Sequence, residues 1–243
     1  MQNALFRQRI EAQLPKFKCI EVPLLEQVPC DLEGKAFEQI FNDSTINEVI
    51  FNSPSAVEFG AQKLLRELPL QRYFTVGKGT AMVLESYLKK SNLNAKLIYP
   101  LHSAGSEALL ELDALQHIEG KEFLIITGAQ WKPLLGKELS SRGAKVYHWE
   151  CYQRQKPIEL QSKLSEAFLK PVNFVMLHSA HAAKYFFQEL PEHVQKNQIV
   201  LIVGAQSIAD AIGSEAWQER IIVADTPIAE DMLSCMVEYV NLV

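Results

Sequence analysis

Continuous apolar runs alternate with amphipathic stretches along most of the chain. The runs 123–126 and 199–203 are apolar at every position and rich in β-branched residues, which is typical of strands buried on both faces of a parallel sheet. Runs of this kind are followed by a small residue and then by a stretch with helical periodicity, such as 81–88. The repeated order of strand, short turn and helix predicts an α/β fold with doubly wound parallel sheets.

An internal repeat organises the chain, because three strand–helix pairs recur in the same order. Each pair consists of a short apolar run, a turn of small residues and a stretch with helical periodicity. The matching segments are 49–59 with 175–185, 73–81 with 200–208, and 97–110 with 221–233. Three matches in one order predict two related α/β units, at roughly 30–150 and 157–243.

Two extended segments bounded by proline, 20–29 and 146–156, are interpreted as crossovers between the predicted domains. Two crossovers mean that one domain is built from both chain ends, residues 1–22 and 157–243, and that the other, residues 30–150, is inserted. The first helical pattern has no strand before it, so the terminal domain is expected to lack its first strand. A ligand cleft is expected between the domains, at the carboxyl ends of the strands.

Composition and charge narrow the function classes. The formal net charge is −5 and no basic face is evident, which argues against nucleic acid as a partner, although an anionic small molecule needs only backbone N–H groups and a few cations. The four cysteines are scattered without a Cys-x-x-Cys pair, as in a reducing compartment. With no signal peptide and no apolar window of spanning length, we expect a cytoplasmic protein without a membrane partner.

Serine-rich turns open a helix in both predicted units. Ser53 and Ser55 follow the first strand of one unit, and Ser179 and His181 follow the matching strand of the other. The free N–H groups and partial positive charge of a helix N-terminus can bind a carboxylate or a phosphate. Simple N-capping is the alternative, because serine has that role in many helices.

A second pair of turns follows the next strand of each unit. The residues of interest are Gly77, Lys78 and Thr80 in the first turn, and Gly204, Gln206 and Ser207 in the second. Neither turn has the glycine spacing of a dinucleotide fingerprint or the Gly-Lys-Ser/Thr ending of a P-loop, so nucleotide binding is not expected. A tight turn that contacts an anion through backbone N–H groups and Lys78 fits better.

Tyr152 is the strongest candidate for proton transfer, because it ends an extended run beside Arg154 where the chain crosses between domains. A phenol there can donate a proton to a leaving hydroxyl, and the alternative is an aromatic ring that packs the domains together. Gly128 and Lys132 follow the strand 123–126 and could add positive charge to the cleft, whereas a solvated lysine is equally compatible. His178 and His181 are poorly placed for a metal, and no nucleophile elbow occurs.

Taken together, these motifs resemble the uroporphyrinogen-III synthase family over nearly the whole chain. The resemblance lies in the segments 53–57, 76–81, 96–100, 106–110, 139–146 and 150–154. It implies two flavodoxin-like α/β domains joined by a two-stranded β ladder, with the cleft between them. It also implies a monomeric lyase without metal or cofactor that closes hydroxymethylbilane to uroporphyrinogen III, with loss of water and inversion of ring D. Transient contact with hydroxymethylbilane synthase is a further implication.

The resemblance also assigns roles to individual residues. The prominent catalytic tyrosine of the family falls on Tyr152. Its cleft-facing turns fall on Ser53, Ser55, Ser179, Gln206 and Ser207.

Two departures from the family pattern leave a second function open. The chain begins just after the point where family members have a strand ending in Thr-Arg-Pro. Where bacterial members often carry two arginines in a glycine loop, this chain reads Thr127-Gly128 and Gln130-Trp131-Lys132, so only Lys132 keeps a charge. The alternative is therefore a non-catalytic relative that binds a tetrapyrrole or another polyanion in the same clamp. An exported solute-binding clamshell would need a signal peptide.

Overall fold

The computed structural model describes residues 2–30, 35–42, 45–129, 131–212, 217, 220–226 and 228–242. Contacts divide the chain into two compact units. The terminal unit comprises Met1–Glu26 and Gln155–Val243, and the central unit comprises Gln27–Arg154. Each unit contains a β-sheet with helices on both faces.

The elements follow one another in the alternating order expected of an α/β chain. The strands are β1 (Glu26–Pro29), β2 (Glu48–Phe51), β3 (Arg72–Thr75), β4 (Lys96–Ile98), β5 (Glu122–Gly128), β6 (Lys145–Gln155), β7 (Phe174–Leu177), β8 (Val200–Val203) and β9 (Ile221–Val223). The α-helices are α1 (Gln2–Gln13), α2 (Lys35–Asn42), α3 (Pro54–Glu67), α4 (Lys78–Lys90), α5 (Ser106–Leu110), α6 (Leu134–Ser141), α7 (Leu160–Ala167), α8 (Ala180–Glu189), α9 (Gln206–Ile212) and α10 (Ala229–Leu242).

Both sheets are mainly or wholly parallel, which confirms the predicted α/β class. The larger sheet has the order β1-β6-β5-β2-β3-β4, and the pairings from β6 to β4 are parallel. The smaller sheet has the order β7-β8-β9 and is parallel throughout. β1 and β6, which come from the two extended segments of the sequence, are neighbours at the edge of the larger sheet.

The internal repeat corresponds to matching strand–helix pairs in the two sheets. The pairs β2–α3, β3–α4 and β4–α5 match β7–α8, β8–α9 and β9–α10, and the three strands of each set lie side by side in chain order. In the larger sheet β5 lies on the other side of β2. No strand among the described residues takes the corresponding position beside β7, so β7 is an edge strand there.

Strand residues alternate between two hydrophobic layers, as the pleat of a strand requires. In β2, Val49 and Phe51 pack in the layer of α3 and α4, whereas Ile50 faces the layer of α5 and α6. In β8, Leu201 packs in the layer of α7 and α8, whereas Ile202 faces α10. Strands buried on both faces explain why the sequence shows continuous apolar runs rather than an alternating pattern.

Two classes of feature are absent from the part of the chain that the structure describes. None of its helices combines the length and the apolar character needed to cross a bilayer. Its four cysteines, at positions 19, 30, 151 and 235, form no disulfide.

A buried carboxylate ties three neighbouring strands together at the amino end of the larger sheet. The Glu48 side chain, at the start of β2, is only 4% exposed. Arg72, which opens β3, donates from Nε to Glu48 Oε2 at 3.0 Å and also forms an ion pair with Oε1. Lys121, directly before β5, donates from Nζ to Oε1 at 3.1 Å. The two cations compensate the desolvation of the carboxylate.

Replacing this carboxylate by its neutral isostere tests the ion pairs without changing the packing. We expect Glu48→Gln to lower the free energy of unfolding by about 1.5–3 kcal/mol, since hydrogen bonds to charged groups are lost from a buried site. Urea denaturation followed by circular dichroism measures the change. The control is Glu85→Gln, whose partner Lys89 lies one turn away on the surface of α4, where an ion pair contributes about 0.5 kcal/mol or less. Equal losses in the two variants would contradict this account.

Candidate functional site

The carboxyl ends of β2, β5 and β6 bring three of the predicted residues into contact. Ser53 comes two residues after β2, Gly128 ends β5, and Tyr152 lies in the second half of β6. The three strands are adjacent and run parallel, so the residues that follow them meet at one edge of the sheet. We call Ser53, Gly128 and Tyr152 the tyrosine cluster.

A shift of register in β6 turns Tyr152 toward this cluster. Thr127 lies opposite Glu150 and the next residue, Gly128, lies opposite Tyr152, so Cys151 is an extra residue in β6. Without the insertion Tyr152 would share the face of Glu150. With it, the ring joins Cys151 in the hydrophobic layer of α3. Bulges of this kind re-aim side chains and are frequent beside active sites.

Close packing fixes the ring of Tyr152. A Cβ atom at Gly128 would lie 2.5 Å from the Cζ atom of the ring, so only glycine leaves room for it. On α3, the Phe59 ring stacks on the phenol with a centroid distance of 5.4 Å and an interplanar angle of 20°. The backbone N–H of Ala129 donates to the carbonyl oxygen of Tyr152 at 2.8 Å. The residue is only 6% exposed.

Ser53 connects the phenol to the start of α3. Its Oγ lies 3.1 Å from the hydroxyl oxygen of Tyr152 and accepts the backbone N–H of Ala56 at 3.0 Å. The backbone of Ser53 is extended, as an N-cap requires. The same hydroxyl therefore caps the helix and holds the phenol, next to the partial positive charge of the helix end.

The matching serine of the terminal unit has the same capping geometry. Ser179 is extended and its Oγ accepts the backbone N–H of Ala182 at 3.2 Å. N-capping, the alternative weighed from the sequence, is therefore present at both Ser53 and Ser179. Contact of these hydroxyls with an anion stays a prediction, as it does for Ser55, which is half-buried in the first turn of α3.

The turn after β3 separates its three predicted residues. Gly77 is buried against Ala104 and is the N-cap residue of α4. Lys78 begins the helix and is exposed, whereas Thr80 is only 3% exposed and lies in the interior. Of these three residues, Lys78 has the side chain that is accessible to a solute.

In the terminal unit, the other predicted residues lie at the carboxyl ends of β7 and β8. His181 is exposed in the first turn of α8, Gly204 is buried directly after β8, and Ser207 is exposed in the first turn of α9. Gln206 is also exposed, and its Nε2 donates to Asp210 Oδ1 at 2.8 Å, one turn along α9. Within the described ranges, no three His, Cys, Asp or Glu side chains are arranged to hold a metal ion.

The sequence did not indicate two further residues at this edge of the sheet, Phe59 and Asn52. Phe59 was covered only by a general helical pattern, although its position one turn after Ser55 places it on the side of α3 that follows the serine turn. Asn52 lies between β2 and the serine turn, and its Nδ2 donates to Thr127 Oγ1 at 3.1 Å, which links the ends of β2 and β5. Both strands have a polar residue at their carboxyl end, Asn52 after β2 and Thr127 in β5. This shared position is the signal that could have indicated the link.

The contact between Gly128 and Tyr152 predicts a large effect from a single methyl group. Gly128→Ala forces the ring to move and breaks its 3.1 Å contact with Ser53, and we expect a loss of about 1–3 kcal/mol in the free energy of unfolding. Chemical denaturation measures it. The control is Gly79→Ala, since a Cβ at Gly79 in α4 meets nothing within 4 Å and alanine favours a helix by up to about 1 kcal/mol. If the two variants are equally stable, the packing argument fails.

Comparison with known proteins identifies the family. The family model for uroporphyrinogen-III synthase HemD matches residues 8–234. The uroporphyrinogen-III synthase of Salmonella typhimurium strain LT2 is 31% identical over 201 residues, which is 79% of each chain. That of Escherichia coli strain K12 is 29% identical over 229 residues, 88% of each chain.

Solved structures of low sequence identity share the fold. Uroporphyrinogen-III synthetase from Helicobacter pylori 26695 aligns with a TM-score of 0.53 at 17% identity, over 90% of this chain and 91% of the other. A mutant uroporphyrinogen III synthase from the extremely thermophilic bacterium Thermus thermophilus aligns with a TM-score of 0.51 at 16% identity, over 98% and 96%. The family model spans nearly the whole chain and the prediction from the sequence motifs is confirmed: this chain belongs to the uroporphyrinogen-III synthase family.

Proposed function

We propose that the chain is a cyclising lyase that closes hydroxymethylbilane to uroporphyrinogen III, with loss of water and inversion of ring D. Membership of the family supports the reaction class. The observation that carries the mechanism is the hydrogen bond between the Tyr152 hydroxyl and Ser53 at the N-terminus of α3.

Tyr152 is the proposed acid for departure of the hydroxyl group. The C–O bond of the ring A hydroxymethyl group breaks and the phenol proton goes to the leaving oxygen, which gives water, a cationic azafulvenium group on ring A and the phenolate of Tyr152. Ser53 then donates its own hydroxyl proton in a hydrogen bond to the phenolate, while Ala56 N–H continues to hold the serine oxygen. The positive end of α3 lowers the free energy of that negative charge. Attack by ring D through its substituted carbon gives a spiro intermediate, which reopens and recloses with the ring inverted. The proton lost from ring D on closure returns to the phenolate and restores Tyr152.

The remaining predicted residues are proposed to hold the carboxylates of the substrate. Lys78 and Lys132 supply exposed cations. The helix starts at α3, α4, α8 and α9 supply N–H groups beside Ser55, Ser179, His181, Gln206 and Ser207. The proposal also includes two α/β domains that are joined by a β ladder and act as a clamp. In this arrangement the turns of each domain bind a different part of the bilane. Holding the two ends of a flexible chain together accounts for much of the rate enhancement.

The proposal includes further properties that follow from the family resemblance. The enzyme acts as a monomer in the cytoplasm, without metal or cofactor, and receives its substrate from hydroxymethylbilane synthase, with which it makes transient contact. The non-catalytic alternative is not favoured, since both relatives are named as synthases and Tyr152 is present with a hydrogen-bonded hydroxyl.

A coupled assay tests the reaction. Hydroxymethylbilane is generated by purified hydroxymethylbilane synthase, and the cyclised products are oxidised and separated by chromatography. In the presence of this chain we expect the type III isomer in place of the type I isomer that forms without enzyme. If only type I appears, and calorimetry shows that the chain binds the product, the non-catalytic alternative is correct.

Tyr152→Phe tests the acid. The variant keeps the ring between Gly128 and Phe59 and removes only the hydroxyl, so we expect an unchanged melting temperature within a few degrees and a fall in kcat of about 10²-fold or more. The control is Tyr87→Phe, a half-buried tyrosine of α4 whose hydroxyl makes only a long contact of 3.5 Å with the carbonyl oxygen of Glu58. Turnover of the Tyr152 variant equal to that of the control would remove Tyr152 from the mechanism.

A further inference from the structure

The loop between β5 and α6 contacts β6 through two of its residues, Ala129 and Trp131. At its start, Ala129 is hydrogen-bonded to Tyr152 through the backbone. In the middle of the loop, the Trp131 indole stacks on the His148 imidazole with a centroid distance of 3.8 Å and an interplanar angle of 14°. The indole Nε1–H donates to Glu150 Oε1 at 2.9 Å. His148 and Glu150 are two residues apart in β6 and therefore share one face of the strand, so one indole bridges both.

His148 lies in a narrow slot between the indole and α6. A Cβ atom at Gly136, in α6, would lie 2.7 Å from Nε2 of the imidazole, so the helix backbone forms the far wall. Burial lowers the pKa of His148, although the negative charge of Glu150 acts in the opposite direction. A pKa below the ordinary value of an imidazole favours the neutral ring at pH 7. We call Trp131, His148 and Glu150 the indole clamp.

Lys132 is the charged residue next to the indole clamp in the chain. It follows Trp131 directly and is exposed, so its ammonium group is available to a solute. A lysine on an unrestrained segment loses conformational entropy on binding an anion, whereas a lysine beside an anchored tryptophan loses less.

We propose that Trp131, held by His148 and Glu150, is a positioning residue that presents Lys132 to a carboxylate of the substrate. The proposal rests on the function proposed above and adds to it a device that the tyrosine cluster does not contain. Trp131 acts through Lys132 and does not touch the substrate. The ion pair exists before and during the reaction alike, so it contributes to binding rather than to the chemical step.

A double-mutant cycle tests this positioning role. We expect Trp131→Ala and Lys132→Ala each to raise KM about fivefold, the effect of one exposed charge pair, with kcat unchanged. In the Lys132→Ala background, Trp131→Ala should add no further change, because its effect passes through the lysine. Trp131→Phe keeps the stacking and should restore most of the affinity. Lys137→Ala, which removes an exposed lysine of α6, is the matched control and should leave KM unchanged.

Three outcomes would overturn the proposal. One is a rise in KM on Trp131→Ala that is equally large with and without Lys132. A second is a fall in kcat at constant KM, and a third is a wild-type KM in Trp131→Ala. If the wild-type chain makes only the type I isomer, the proposed reaction fails, and the same cycle is then measured as the Kd for uroporphyrin by fluorescence titration. If the effects of Trp131→Ala and Lys132→Ala on that Kd simply add, Trp131 does not act through Lys132, and the positioning role fails independently of the reaction.

Discussion

The geometry of the candidate site depends on one extra residue in a strand. Cys151 shifts the register of β6 against β5, and this shift moves the next side chain from one face of the sheet to the other. Every contact of the phenol follows from that move: the glycine under the ring, the stacking on Phe59 and the hydrogen bond to Ser53. A regular strand would direct Tyr152 toward the face on which His148 and Glu150 lie.

The two ends of the larger sheet have different physical characters. At the amino end, the buried Glu48 is compensated by Arg72 and Lys121, and the arrangement stabilises three strands against one another. At the carboxyl end, a glycine is in tight contact with an aromatic ring. Nearer the middle of the sheet, the His148 Nδ1 atom is buried without a hydrogen-bond partner among the described residues. A tight contact and an unsatisfied polar atom both lower stability, and such features are typical of sites where function rather than stability determines the arrangement.

The fold class followed from the sequence because buried parallel strands and their helices leave long-range periodic signals. The repeat was equally visible, and its three strand–helix pairs are present in both sheets. Motifs in chain order were enough to identify the family. The exposure of individual residues within a turn was harder to predict. Lys78 and Thr80 are two residues apart, and only the structure shows that Lys78 is exposed and Thr80 is buried. The shift at Cys151 and the stacking of Trp131 on His148 leave no periodic signal, because each depends on which neighbouring element the side chain meets.

The contact between Gly128 and Tyr152 has a consequence for how this sequence can change over evolutionary time. A larger residue at position 128 can be accommodated only if the aromatic ring at position 152 shrinks or leaves, and that exchange removes the phenol. Neither position can therefore drift independently while the hydroxyl is needed. In related proteins the two sites should vary together, and a glycine lost at one of them should mark lineages that have abandoned the tyrosine.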